Sequence, residues 1–318
     1  MMFMSTLTLG IVVMLSGKTW FSVWLGLEIN LLSFLPLILF SSPTGSESGL
    51  KYFLIQAMGS LLILQASFSW TALPTPYLFF VAPLTLKLGA APLHFWLPEV
   101  TKSLPWRINM ILLTLQKMGP LYLLAMISMP HKMPLFIISV FSTTIGALGG
   151  LNETDLRKLM AFSSISHMGW MMVGMTLTQT HWMLYYLTYI ITSLAVITLL
   201  DKMNISSLSQ LAPKNKNSVL TMLLLLSLGG FPPLLGFAPK WIILNNIVSL
   251  SLPLSILLIA TSVLTLYYYI RTGLMALTLS VSSVKMKLST DKDVQTLLAI
   301  VSLMGGSLYM LSWSSLTL

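Results

Sequence analysis

A chain of 318 residues with 56% hydrophobic and only 8% charged side chains holds about a third of the charge of an average soluble domain. At a mean hydropathy of +0.87 it lacks the polar groups to cover a water-facing surface of this size, which excludes a cytosolic enzyme, a disulfide-stapled secreted domain and a disordered regulator. The formal charge of +9 would suit nucleic acid in a soluble protein, but here the basic residues lie mostly between apolar runs. The chain reads as an all-α, polytopic membrane protein with no nucleic-acid partner.

Apolar runs of about the 20 residues that cross a bilayer number eleven: 2–17, 20–40, 51–70, 77–97, 108–129, 135–151, 159–179, 182–200, 218–250, 253–275 and 294–314. The longest polar connections, 201–217 and 276–293, are too short to fold alone, so 1–318 is expected to be a single transmembrane domain. The first run has no basic residue before Lys18; targeting segments open with positive charge, so this run is expected to be the first helix.

The basic residues orient the chain. Loops after the even-numbered runs hold Lys51, Lys102, Arg107, Arg157, Lys158, Lys202, Lys214, Lys216, Lys285, Lys287 and Lys292, and Arg271 joins them. Only Lys18 and Lys132 lie opposite, a bias of twelve to two. The N-terminus is therefore expected on the basic side and the C-terminus across the membrane.

There is no cysteine, so no thiolate can hold an iron–sulfur cluster or a structural zinc. No HExxH, GxGxxG or GxxxxGK[ST] pattern occurs. Metal and cofactor sites are not expected in this chain, and electron or nucleotide chemistry is assigned to partner chains.

The other three basic residues, Lys87, Lys117 and Lys240, lie inside apolar runs, as do Glu28 and His167. A lysine at the bilayer centre costs several kcal/mol unless it pairs, meets water or loses its proton. Near a helix end it can snorkel to the interface, but Lys117 is about nine residues into its run, roughly 13 Å deep. Burial disfavours the charged amine and a nearby carboxylate restores it, so a lysine whose carboxylate can approach or retreat is a proton switch. His167 follows Ser163-Ser-Ile-Ser166, a polar patch that suits either interhelical bonding or a relay.

Two runs are interrupted in the same way. The fourth reads Lys87-Leu-Gly89-Ala-Ala-Pro92; the ninth reads Gly229-Gly-Phe-Pro232-Pro233-Leu-Leu-Gly236-Phe-Ala-Pro239-Lys240. Proline removes a donor and clashes with the preceding turn, so breaks are expected around Gly89 and Pro92 and around Pro232, Pro233 and Pro239. Such breaks are tolerated at depth where protein or water satisfies the backbone. Paired interruptions five runs apart fit an inverted five-helix repeat, with 1–129 as the first copy, 135–275 as the second and 294–314 appended. The copies differ at their fifth helix: Lys117 has no charged counterpart in the tenth run, which offers Tyr267, Tyr268 and Tyr269 instead.

Six segments in order resemble one family: Trp24-Leu-Gly-Leu-Glu28-Ile-Asn30, Lys51-Tyr-Phe-Leu-Ile-Gln56, Lys87 through Pro92 to Glu99, Gln116-Lys117-Met-Gly-Pro120, Ser163 through His167 to Trp170, and Gly236-Phe-Ala-Pro-Lys240-Trp241. They are similar to the mitochondrially encoded, antiporter-like subunits of respiratory complex I, NADH:ubiquinone oxidoreductase. The resemblance implies proton translocation across the mitochondrial inner membrane, driven by quinone reduction elsewhere in the complex. It implies Glu28 and Lys87 as an ion pair, Lys117 as central relay, Lys240 as the outer-channel lysine and His167 as a link between half-channels. NADH, FMN, iron–sulfur clusters and ubiquinone are then expected in other subunits. Implied partners are further membrane-arm and accessory subunits and phospholipids such as cardiolipin. The N-terminus would face the matrix and the C-terminus the intermembrane space. Ala90 and Ala91 depart from the family's larger residue beside the break. The rival readings are a cation/proton antiporter and a structural membrane-arm subunit. Sodium selectivity would need oxygen ligands at depth, and a spacer would not need three buried lysines.

Overall fold

The structure, a computed structural model, describes residues 2–43, 45–68, 76–127, 132–214, 218–278, 300–302 and 304–306. Of the apolar run at 294–314, only 300–302 and 304–306 are among the described residues, and the rest of that expected helix lies outside them. Regular structure among the described residues is helical, apart from one isolated antiparallel bridge between Asp155 and Ser207.

The chain divides into two compact units, one up to Phe141 and one from Ser142 onward. The first holds α1 (Met2–Ser16), α2 (Trp20–Leu39), α3 (Gly45–Phe68), α4 (Pro76–Leu88), α5 (Trp96–Ser103), α6 (Trp106–Leu113) and α7 (Leu115–Ile127). Helix α8 (Met133–Gly149) carries the boundary. The second unit holds α9 (Leu156–Leu177), α10 (Gln179–Met203), α11 (Leu208–Lys214), α12 (Ser218–Gly229), α13 (Phe237–Val248) and α14 (Leu252–Thr278). Among the described residues, five stretches are long and apolar enough to cross a membrane: α2, α3, α6 with α7, α10 and α14 to Leu277.

Polarity is arranged inside out. On α3, Leu50, Leu54, Met58 and Leu61 are exposed, and on α14 so are Leu252, Ile256, Ile259, Val263 and Tyr267. Steps of three and four put each set on one helix face, an apolar stripe suited to lipid. The buried faces carry the polar groups instead, including Asn30 and Ser33 on α2, Gln56 and Ser60 on α3, and Ser163, Ser164, Ser166 and His167 on α9. Helix α9 is buried over 18 of its 22 residues.

Local chemistry fixes the ends. Thr19 and Ser22 form a reciprocal capping box at the start of α2, satisfying orphan backbone donors there. Helix α10 ends on Asn204 in the left-handed conformation, φ 50°, where asparagine serves as a C-terminal cap. The loops before α9 and after α10 are joined by Leu156 N–H to Ser206 C=O at 2.9 Å and Leu208 N–H to Thr154 C=O at 3.0 Å.

Two interruptions share one frame. Helix α4 ends at Leu88, Gly89 follows with φ +67°, Ala91–Pro92 is cis, and α5 starts at Trp96. Helix α12 ends at Gly229, Gly230 follows with φ +80°, Pro232–Pro233 is cis, and α13 starts at Phe237. The closing hydrogen bonds also correspond: Gly89 to Leu86 and Ala90 to Thr85, against Gly230 to Ser227 and Phe231 to Leu226. Glycine takes positive φ without the steric cost that a Cβ brings, so Gly89 and Gly230 suit the backbone at both interruptions.

The sequence reading places two edges differently. The run at 77–97 does not stop at its break, because α5 continues to Ser103 and puts Lys102 in its last turn rather than in a loop. The run at 108–129 is divided at Thr114, at φ −113° and ψ −85°. The Thr114 hydroxyl donates to the Met110 carbonyl at 2.6 Å. A threonine that bonds back to its own helix competes with the backbone ladder, which explains an interruption without proline or glycine at that point.

Candidate functional site: buried lysines in each unit

In the first unit, the α4 break, the middle of α3 and the start of α7 enclose a small cavity, large enough for a water molecule. Lys87 and Lys117 both line it, with Tyr52, Gln56, Trp96 and Gln116. Lys87 is 6% exposed and Lys117 3%, so neither side chain snorkels out of the protein. The Lys87 stem lies against Gly59 of α3, where a Cβ would come within 2.9 Å of Lys87 Cγ. The break is held by side chains as well as by glycine. Gln56 Nε2 donates to the Lys87 carbonyl at 3.2 Å, and Trp96 Nε1 donates to the Leu86 carbonyl at 3.0 Å. These donors meet carbonyls that the end of α4 leaves without intrahelical partners.

Around the cavity, Gln116 Nε2 donates to Asn30 Oδ1 at 3.0 Å and the Tyr52 hydroxyl donates to Gln116 Oε1 at 3.4 Å. Thus α2, α3 and α7 are joined by amide and hydroxyl groups. Glu28 is half-buried on α2. It acts electrostatically on Lys87, yet among the described residues no ion pair within 4 Å joins the two. The carboxylate stands back from the lysine in this structure.

In the second unit, His167 on α9 and Lys240 on α13 are each 6% exposed. His167 Nδ1 and the Tyr185 hydroxyl of α10 are 2.9 Å apart. Lys240 Nζ donates to the Gly229 carbonyl, the last of α12, at 2.8 Å, and lies 5.8 Å from the centre of the Trp170 ring. Trp170 in turn stacks on Tyr185 with ring centres 6.4 Å apart and planes 11° from parallel. Lys240 thus reaches back across the break rather than toward solvent. Gly230 makes room for it: a Cβ there would stand 3.0 Å from Lys240 Cδ and 3.1 Å from Nζ.

The structure therefore gathers Glu28, Lys87 and Lys117 in the first unit, and His167 and Lys240 in the second. Gly89 and Pro92 lie in the first interruption, and Pro232 and Pro233 in the second. Pro239 lies in the first turn of α13, where a missing N–H costs no helical bond. Sequence reasoning assigned no role to Asn30, Tyr52, Gln56, Gln116 and Tyr185. Amides inside apolar runs were a readable signal for Asn30, Gln56 and Gln116, because each needs a partner at depth. Tyrosine gives no such signal.

The description "NADH:quinone oxidoreductase/Mrp antiporter, TM" matches residues 17–74 and 66–265. The NADH-ubiquinone oxidoreductase chain 2 of Locusta migratoria is 35% identical over 99% of this chain and 98% of its own length. That of Anopheles gambiae is 42% identical over 85% of this chain and 83% of its own length. Among solved structures, a chain of respiratory complex I from Thermus thermophilus with bound aureothin has the same fold, with a TM-score of 0.80 at 23% identity. That match covers 96% of this chain and 75% of the other. From Glu28 in α2 to Lys240 beyond the second break, every buried charge described above lies within the matched segments, and the chain belongs to the NADH-ubiquinone oxidoreductase chain 2 family.

Proposed function

We propose that this chain is a proton-translocating subunit in the membrane arm of NADH:ubiquinone oxidoreductase, itself without a redox centre, working with the electron chemistry of other subunits. Family membership supports the assignment, and the observation that carries it is the pair of buried lysines, Lys87 and Lys117, lining one water-sized cavity with Glu28 acting on the first. In this mechanism Glu28 approaches Lys87 to hold its proton and retreats to release it. Lys117 receives the proton across the cavity, and His167 and Lys240 carry it onward toward the opposite side.

The magnitudes agree. Moving one charge against 100 mV costs about 2.3 kcal/mol, and a two-unit change in proton affinity supplies about 2.7 kcal/mol. One switched ion pair is therefore of the right size to drive one proton.

The finer architecture belongs to the same proposal. Eleven spans form an inverted repeat, 1–129 and 135–275, with 294–314 appended; the shared frame of the two interruptions supports it. The chain sits in the mitochondrial inner membrane with its basic loops and N-terminus in the matrix and its C-terminus in the intermembrane space. Its neighbours are other membrane-arm and accessory subunits and phospholipids such as cardiolipin, with NADH, FMN, iron–sulfur clusters and ubiquinone held elsewhere.

Lys117→Met keeps the stem of the side chain and removes the proton carrier. A native gel stained for NADH oxidation establishes assembly, and proton flux is then measured in vesicles. Assembly with loss of flux is the expected result; normal flux from the assembled variant refutes the proposed role.

A further inference from the structure

The second unit has a buried tyrosine cluster that the lysine mechanism does not use. Tyr185 and Tyr189 come from α10 and Tyr268 and Tyr269 from α14, and all four are at most 3% exposed. They surround the polar stretch of α9. Tyr185 meets His167 at 2.9 Å, the Tyr189 ring lies 5.2 Å from the His167 ring, and the Tyr268 and Tyr269 rings are 4.6 Å apart. The Tyr189 hydroxyl faces Ser164, that of Tyr268 faces Ser166, and that of Tyr269 faces Ser163.

The direction of these contacts matters. Each of the three serines donates its own proton to a carbonyl three residues earlier, at 2.6 to 2.8 Å. Their lone pairs are left as acceptors toward the tyrosines. Tyr268 and Tyr269 are buried without closing a hydrogen bond of full geometry, so their hydroxyls keep capacity to accept and donate. The cluster also reaches the break. A Cβ on Gly229 would lie 3.1 Å from the Tyr269 ring, and the Gly229 carbonyl is the one that holds Lys240.

We propose that Tyr185, Tyr189 and the Tyr268–Tyr269 pair form a hydroxyl bridge that conducts protons between His167 and Lys240. It rests on the proton-translocating reading and extends it to residues with no charge of their own. An imidazolium at His167 gives its Nδ1 proton to the Tyr185 oxygen while the Tyr185 hydroxyl proton moves to the next oxygen. Each hydroxyl gains one proton and loses one, and a water beside Gly229 delivers the last to Lys240 Nζ. His167 ends as neutral imidazole, Lys240 changes from amine to ammonium, and every tyrosine ends as it began.

The test uses the intact complex, assembled with Tyr269→Phe, Tyr268→Phe or Tyr185→Phe and reconstituted into vesicles, with Lys240→Met beside them. Phenylalanine keeps the ring and its packing, so a purely structural tyrosine would leave transport unchanged. The expected result is proton flux about a hundredfold lower in Tyr269→Phe, the lower end of what a positioned proton transfer contributes, with a larger solvent deuterium isotope effect than the parent. Parental flux and isotope effect in all three variants, with flux lost in Lys240→Met, would overturn the bridge and leave the general reading standing. Parental flux in Lys240→Met would overturn the general reading and the bridge together. Should a phenylalanine variant fail to assemble, Ser163→Ala, which removes only the hydroxyl facing Tyr269, is measured against the same two outcomes.

Discussion

Replacing Gly230 by alanine tests the seat of Lys240 without touching its charge. At φ +80° a side chain costs about 1–2 kcal/mol from backbone sterics alone. The added Cβ would stand 3.0 Å from Lys240 Cδ, 3.1 Å from its Nζ and 3.2 Å from the Gly236 carbonyl, so the lysine must withdraw from the Gly229 carbonyl that it now meets at 2.8 Å. A hydrogen bond from a charged group is worth about 1.5–3 kcal/mol. The backbone cost falls on the fold as a whole, and loss of the hydrogen bond alone, at about 1.4 kcal/mol per tenfold, lowers the population of the seated geometry by about ten- to a hundredfold. Proton flux per assembled complex should therefore drop sharply while the titrating group itself remains present. Gly119→Ala is the control, since its Cβ meets only the thioether end of Met14, a flexible neighbour that can move aside. Parental flux and thermal stability in Gly230→Ala would show that Lys240 does not work from the Gly229 carbonyl.

Two further substitutions separate buried from exposed polarity. Gln116→Leu should lower the melting temperature of the complex, because Asn30 loses its donor and the Tyr52 hydroxyl its acceptor; each buried group left so costs about 1–3 kcal/mol. A melting curve indistinguishable from the parent would show that neither bond matters. Glu99→Gln should change the melting temperature little: Lys51 keeps Glu47 at 3.1 Å, and both Lys51 and Glu99 are largely open to solvent, where ion pairs contribute little. A drop of several degrees would contradict that.

Much of the site was legible because the membrane makes polarity expensive. Lys87, Lys117, Lys240, Glu28 and His167 each stand out in an apolar run, and glycine beside proline marks both Gly89–Pro92 and Gly230–Pro233. Less legible was what partners these groups. Tyr185 and Tyr269 look like ordinary apolar-run residues until α9, α10 and α14 are packed, and the Glu28–Lys87 separation depends on how two helices approach. The interruption at Thr114 was invisible for a different reason. It comes from a side-chain hydroxyl bonding back to its own helix, which threonine does in many uninterrupted helices too.

The two interruptions place their lysines on opposite sides of the break, Lys87 before it and Lys240 after it. Lys87 lies in the last turn of α4, so its charge sits at the C-terminal end of the helix before the break. Lys240 lies beyond the break in the first turns of α13, where a helix N-terminus disfavours a cation. It escapes that penalty by folding back over Gly230 to the final carbonyl of α12. In the second unit the positive group thus meets the carbonyl end of the helix that precedes the break. That end carries a partial negative charge and carbonyls without intrahelical partners. A continuous helix would offer neither, because its carbonyls at that depth would already be bonded. The second break therefore creates the carbonyl that Lys240 meets, whereas at the first break Gln56 and Trp96 meet the freed carbonyls and the Lys87 stem runs along Gly59 of α3. At the second place in the chain, glycine gives the room, the break gives the carbonyl and the lysine fills both.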